Sequence, residues 1–181
     1  TDASQSQAAH ALLNRILREQ YQILQPELII GPHGKPYLEN GPHFSISHSR
    51  GMVAVAIGDR NMGLDIEVIR RFHQLVPQRI MSRTEYEWFC SRGELKRDFF
   101  TLWTLKESYF KYLGTGLRGF PNDTEFFYDG KQWVQRAESV PKREYGVYGF
   151  LGLSLVNGTI HSPISSVYVA QQIGADGCMI Q

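Results

Sequence analysis

The chain has 181 residues, 42% of them hydrophobic, and a formal net charge of +1. That size carries one packed domain or two small intimate halves, and the near-balanced charge excludes a generally basic nucleic-acid binder and a disordered acidic tail. Cys90 and Cys178, with no CxxC and no Cys/His cluster, read as free thiols in a reducing compartment; no apolar run approaches the ~20 residues of a membrane span and no signal peptide is visible, so the expected setting is cytoplasmic, with no membrane partner.

Residues 5–21 place Ala8, Leu12 and Ile16, with Leu13 and Leu17, on one side at helical spacing. Gly31-Pro32-His33-Gly34-Lys35-Pro36 must be turn or loop. Three strand-like runs follow. In 44–48, Phe44, Ile46 and His48 alternate with Ser45 and Ser47; 52–57 is continuously apolar; 63–69 alternates again. Turns at 49–51 and 58–61 separate them, and such short connections favour an antiparallel meander. Ser82-Arg83-Thr84-Glu85 is a capping-box signature opening a helix to about Cys90. The spacing predicts the best helix over 98–113, ended by Gly114 and Gly116. A hairpin with Asp129-Gly130 as a type I′ turn follows, then strands over 145–156 and 165–172 with a turn at Asn157-Gly158. The order repeats an α+β unit twice, with a change-over near Met62: an N-terminal half 1–62 and a C-terminal half 63–181 that pack as one body.

Asp65 and Glu67 lie two apart in a strand and so point to one face, with Leu64, Ile66 and Val68 opposite. Adjacent carboxylates need a cation or a proton between them if buried, and only water if exposed. Glu107 lies mid-helix on a face with Trp103 and Phe100, which suggests burial and a partner; the bland alternative is an exposed Glu107–Lys111 pair worth about 0.3–0.5 kcal/mol. Together the three acids offer an all-oxygen site of the kind magnesium prefers, with Lys106 and Lys111 adding positive charge beside a diphosphate. His48 and Ser47 at the end of their strand suit a phosphate contact or an ordinary surface hydrogen bond, and Lys35 suits either a ligand or solvent. No GxGxxG, Walker A, GxSxG or HExxH motif is present.

Four motifs now stand in order: Gly34-Lys35-Pro36, then Phe44-Ser45-Ile46-Ser47-His48-Ser49, then Gly63-Leu64-Asp65-Ile66-Glu67, then Trp103-Thr104-Leu105-Lys106-Glu107-Ser108 with Lys111 and a following Gly-Thr-Gly-Leu at 114–117. This series closely resembles the Sfp-type 4′-phosphopantetheinyl transferases over roughly residues 10–172. The resemblance implies an α+β pseudo-dimer of two similar halves with coenzyme A in the cleft between them. It implies Asp65, Glu67 and Glu107 as Mg²⁺ ligands, and Lys106 and Lys111 near the reacting diphosphate. Lys35, Pro36, Ser47 and His48 would line the coenzyme A site, with His48 near the 3′-phosphate. It further implies transfer of phosphopantetheine to a serine of an apo acyl or peptidyl carrier protein, with release of 3′,5′-ADP, by a monomer. Glu107 is the candidate base, and Lys111 would stabilise charge or protonate the leaving group. Family members carry further residues before the first helix, so the resemblance implies either a first half that is N-terminally incomplete in this chain or a weaker grip on the 3′-phosphate.

Three other readings stand beside this one: a non-catalytic coenzyme A or carrier-protein binding module, a magnesium phosphoesterase, and the smaller holo-acyl-carrier-protein synthase type. Fatty-acid, polyketide, nonribosomal-peptide and lysine-biosynthesis carriers all remain open as partners. Between Arg70 and Thr84 lie Arg70, Arg71, Arg79 and Arg83 and no acid, with Phe72, Leu75, Val76, Ile80 and Met81 among them. A basic rim with apolar anchors suits an acidic partner, and scattered solvated arginines are the equal alternative.

Overall fold

A computed structural model of the chain describes residues 2–116, 121–131, 133–136, 144–150, 153–159, 166–173 and 177–180. Helix α1 (Asp2–Tyr21) buries Ala9, Leu12, Leu13, Ile16 and Leu17, the stripe its periodicity dictates. The Gly31–Pro36 loop is clasped by two short antiparallel strands, β1 (Ile29–Ile30) and β2 (Pro36–Tyr37). Strands β3 (His43–Ser49) and β4 (Met52–Gly58) form the expected hairpin. Its two turn residues, Arg50 and Gly51, have φ of 44° and 83°, the double left-handed geometry of a type I′ turn. Gln5 Oε1 accepts from the Gly51 N–H at 2.7 Å, so α1 fixes the turn.

The meander ends there. Strand β5 (Met62–Val68) does not pair with β4, whose second edge is taken by β10 (Ser166–Ile173); the sheet runs β11-β10-β4-β3, with β11 at Gly177–Ile180. A strand as apolar as β4, buried at every position, is satisfied by a ladder on both edges and cannot serve as an edge strand. β5 instead packs Met62, Leu64 and Ile66 on Met52, Ala54 and Ala56 of β4. It takes its ladder partner from β9 (Leu153–Thr159), which pairs in turn with β8 (Glu144–Phe150). Asn157 and Gly158, expected as a turn, are therefore strand residues opposite Leu64 and Gly63. The first sheet thus draws strands from both sides of Met62 in sequence.

Between β5 and the next strand in sequence come α2 (Val76–Ile80), α3 (Arg83–Ser91) and α4 (Leu95–Leu113). The expected capping box at Ser82 and Glu85 is fully formed, and α4 ends on Gly114 at φ 71°. Helix α4 lies directly on the backbone of β5: a Cβ on Gly63 would stand 1.8 Å from the Ser108 carbonyl oxygen. Strands β6 (Glu125–Tyr128) and β7 (Trp133–Arg136) form the expected hairpin, but Tyr128 pairs with Trp133, so the loop is longer than a type I′ turn. Asp129 closes it by accepting from Lys131 N at 2.8 Å. Among the described residues, no helix is long and apolar enough to cross a membrane.

Candidate functional site

β3 and β5 run side by side in the same direction, and serine hydroxyls join them. Ser45, Ser47 and Ser49 Oγ accept from Leu64 N at 3.0 Å, Ile66 N at 3.2 Å and Val68 N at 3.3 Å. On the other side of β5 lies α4, where Trp103, Glu107 and Lys111 recur every four residues and so share a face. Trp103 Nε1 donates to Glu67 Oε1 at 3.2 Å, and Lys111 Nζ donates to Asp65 Oδ1 at 2.7 Å and to Ser47 Oγ at 2.9 Å. Glu107 lies one turn from each of these contacts. The structure thus brings Asp65, Glu67, Glu107 and Lys111 to the β5–α4 seam.

The three acids differ in how they are held. Asp65 is buried; Oδ1 accepts from Ser47 and Lys111, while Oδ2 is buried with no hydrogen-bond partner among the described residues. Burial pushes its carboxyl above the usual range, against the pull of Lys111. Glu107 is pushed up to about 7, first by burial and then by the Asp65 charge, with Lys111 opposing and Glu67 adding. Glu67 is saturated instead: Oε2 accepts from Ser49 at 2.8 Å and from Arg70, and Oε1 accepts from Trp103. Among the described residues no three acidic, histidine or cysteine side chains form a ready metal-binding group. The donors nonetheless suit a hard cation. They are all carboxylate oxygens; one buried oxygen is orphaned, and burial displaces two carboxyls toward protonation against the pull of Lys111.

Lys106 is not brought to this cluster. Its side chain is 1% exposed and its Nζ lies 2.8 Å from Glu85 Oε2, with further donations to Pro121 O at 2.7 Å and to Thr124 O. Burial holds its ammonium below the usual range, with Glu85 opposing. Glu85 itself caps α3 through Ser82 N at 2.7 Å and accepts Phe126 N at 2.8 Å. One buried ion pair therefore fastens α3, α4 and β6. The sequence signal for Glu85 was the capping box alone, which hides its second task.

Lys35 and Pro36 line a cavity of about 220 Å³ with Phe44, Ser45, Phe110 and Lys111. The Lys35 ammonium bonds Asn61 Oδ1 at 2.7 Å and Met62 O at 3.0 Å, and burial lowers its pKa to about 8. Ser47 and His48 do not line this cavity. The Ser47 hydroxyl is already fully used, donating to Asp65 and accepting from Ile66 N and Lys111. His48, half-buried, alternates with the serines and so shares the face of Phe44, which packs against α1. Ser49, Arg70, Trp103 and Asn61 were not singled out from sequence as site residues; only contact across β3, β5 and α4 reveals them.

Residues 61–147, which contain Asp65, Glu67, Glu107 and Lys111, match the 4′-phosphopantetheinyl transferase superfamily model. The chain is 32% identical over 120 residues to the 4′-phosphopantetheinyl transferase gsp of Aneurinibacillus migulanus, covering 64% of this chain and 51% of the relative. It is 30% identical over 122 residues to 4′-phosphopantetheinyl transferase Sfp of Bacillus subtilis, covering 64% and 54% respectively. With a putative 4′-phosphopantetheinyl transferase of Haemophilus influenzae it shares 32% over 145 residues, 69% of this chain and 61% of the relative. The chain spans about half the length of the first two of these relatives. In fold it is similar to holo-[acyl-carrier-protein] synthase from Neisseria meningitidis, at a TM-score of 0.51 and 17% identity over 56% of this chain and 98% of that one.

Proposed function

Because the chain belongs to the 4′-phosphopantetheinyl transferase superfamily, we propose that it transfers phosphopantetheine from coenzyme A to a serine of an apo acyl or peptidyl carrier protein. One observation carries the proposal: Lys111 both lines the Lys35–Pro36 cavity and bonds Asp65, so that cavity and the acid cluster share a residue. The cavity takes the nucleotide end of coenzyme A and the diphosphate lies toward Lys111. Asp65 and Glu107, with Glu67, would hold Mg²⁺, which would supply positive charge to neutralise the diphosphate. Glu107 is the candidate base that accepts the serine proton. The serine oxygen forms the new bond to phosphorus, the P–O bond to 3′,5′-ADP breaks, and Lys111 meets the charge left on that oxygen.

The arrangement of α1 on the β3–β4 hairpin and of α4 on β5 supports two related α+β units in one monomer. Incubation with coenzyme A, Mg²⁺ and a panel of apo carriers, read by intact mass, tests the reading. A carrier should gain phosphopantetheine with the parent and not with Asp65→Asn. Unmodified carriers throughout the panel, in the presence of measurable coenzyme A binding, would leave a binding module instead.

A further inference from the structure

The three β3 serines perform the same service for β5, each hydroxyl accepting an amide N–H where a regular ladder would offer a carbonyl. Their protons go to different places. Ser47 accepts from Ile66 N and donates to the side chain one residue earlier, Asp65, at 2.9 Å. Ser49 accepts from Val68 N and donates to the side chain one residue earlier, Glu67, at 2.8 Å. At Ser45 the corresponding earlier residue is Gly63, which has no side chain. The register that aligns the two strands therefore also aims the two carboxylates.

We propose that Ser49 is a positioning residue for Glu67, holding that carboxylate toward α4 for the cation site. The inference rests on the reading that Glu67 belongs to that site. Ser49 is suited to the task because it is short, buried and anchored twice. Its amide acceptor role ties it to β5, and it ends β3 at the type I′ turn that Gln5 clamps. Arg70 reaches the same carboxylate oxygen from a longer stem that is 35% exposed, and its guanidinium also lies over the Phe100 ring at 5.0 Å. It supplies charge, which a bound cation replaces, whereas Ser49 supplies direction, which a cation does not.

The test is Mn²⁺ binding, followed by electron paramagnetic resonance, together with urea unfolding in chelator. Removing a hydrogen bond that orients a ligating carboxylate costs about 10–100-fold in metal affinity, so Ser49→Ala should weaken Mn²⁺ by about tenfold or more. Ser49→Thr, which keeps the hydroxyl, should bind like the parent. Thr104→Val loses buried hydroxyl bonds to Phe100 O and Thr101 O away from the acids and should lower stability with Mn²⁺ affinity unchanged. If Ser49→Ala fails to fold, Ser49→Cys preserves the volume with a weak donor and should show the same loss. Parent-like Mn²⁺ affinity in Ser49→Ala or Ser49→Cys, with Glu67→Gln weakened, overturns the positioning role alone. Parent-like affinity in Glu67→Gln overturns both the role and the placement of Glu67 in the cation site.

Discussion

Lys106→Met removes the cation from a pair in which both side chains are 1% exposed. Glu85 would keep its two amide donors, but its charge would be left buried without a counter-charge, and the carbonyls of Pro121 and Thr124 would lose their donor. Breaking a buried ion pair from one side costs about 3–5 kcal/mol, a large part of the ~5–15 kcal/mol that holds a typical domain together. Urea denaturation followed by circular dichroism should show a large fall in midpoint. The double variant Glu85→Gln/Lys106→Met should recover much of it, because no buried charge then stands alone. Stability within about 1 kcal/mol of the parent, with coenzyme A binding sharply weakened, would refute this account and put Lys106 at the ligand.

Gly63→Ala would drive a Cβ to 1.8 Å from Ser108 O and 2.5 Å from Tyr112 N, so α4 must lift from β5. The cost should reach or exceed the ~1–3 kcal/mol of ordinary overpacking, and a parent-like urea midpoint would show that the helix does not sit on this strand. Glu107 binds a proton in the folded state between its usual 4.5 and about 7 that the unfolded chain has released. Metal-free stability should therefore fall as pH rises through that window, by on the order of 3 kcal/mol for this group. Asp65 contributes in the same direction, so Glu107→Gln should give a shallower fall in chelator; an unchanged slope would mean Glu107 is solvated. Arg71, Leu75 and Arg79 are exposed, whereas Ile80 and Met81 belong to the core. Reversing Arg71 and Arg79 to Glu should raise the KM for carrier and remove much of its salt dependence while sparing coenzyme A, and an unchanged KM at low salt would place docking elsewhere.

Local signals made much of this fold legible. The α1 and α4 stripes, the Ser82–Glu85 box, the Gly114 cap and the β3–β4 turn each follow from a few neighbouring residues. What failed was long-range. Asn157-Gly158 is a strong turn signal, yet Gly158 faces Gly63 where α4 crowds the sheet, and strand pairing prevails over local preference. Lys106 adjoins Glu107 in sequence, but one helical step is about 100°, which turns it toward Glu85 while Glu107 stays with Trp103 and Lys111. The alternating serines read as a polar strand face, and nothing in their spacing shows that their acceptors replace a backbone ladder. Asp65 and Glu67 share a strand face, and Glu107 and Lys111 share a helix face, because i,i+2 on a strand and i,i+4 on a helix are fixed periods. Glu67 has its oxygens already taken by residues remote in sequence.

Release of 3′,5′-ADP from coenzyme A, counted with and without an apo carrier, bears most directly on the proposed transfer. The account expects release only when a carrier with its serine is present, one equivalent for each carrier that gains phosphopantetheine. Release without a carrier, or with a carrier whose serine is replaced by alanine, would contradict it and identify the acid cluster as that of a phosphoesterase.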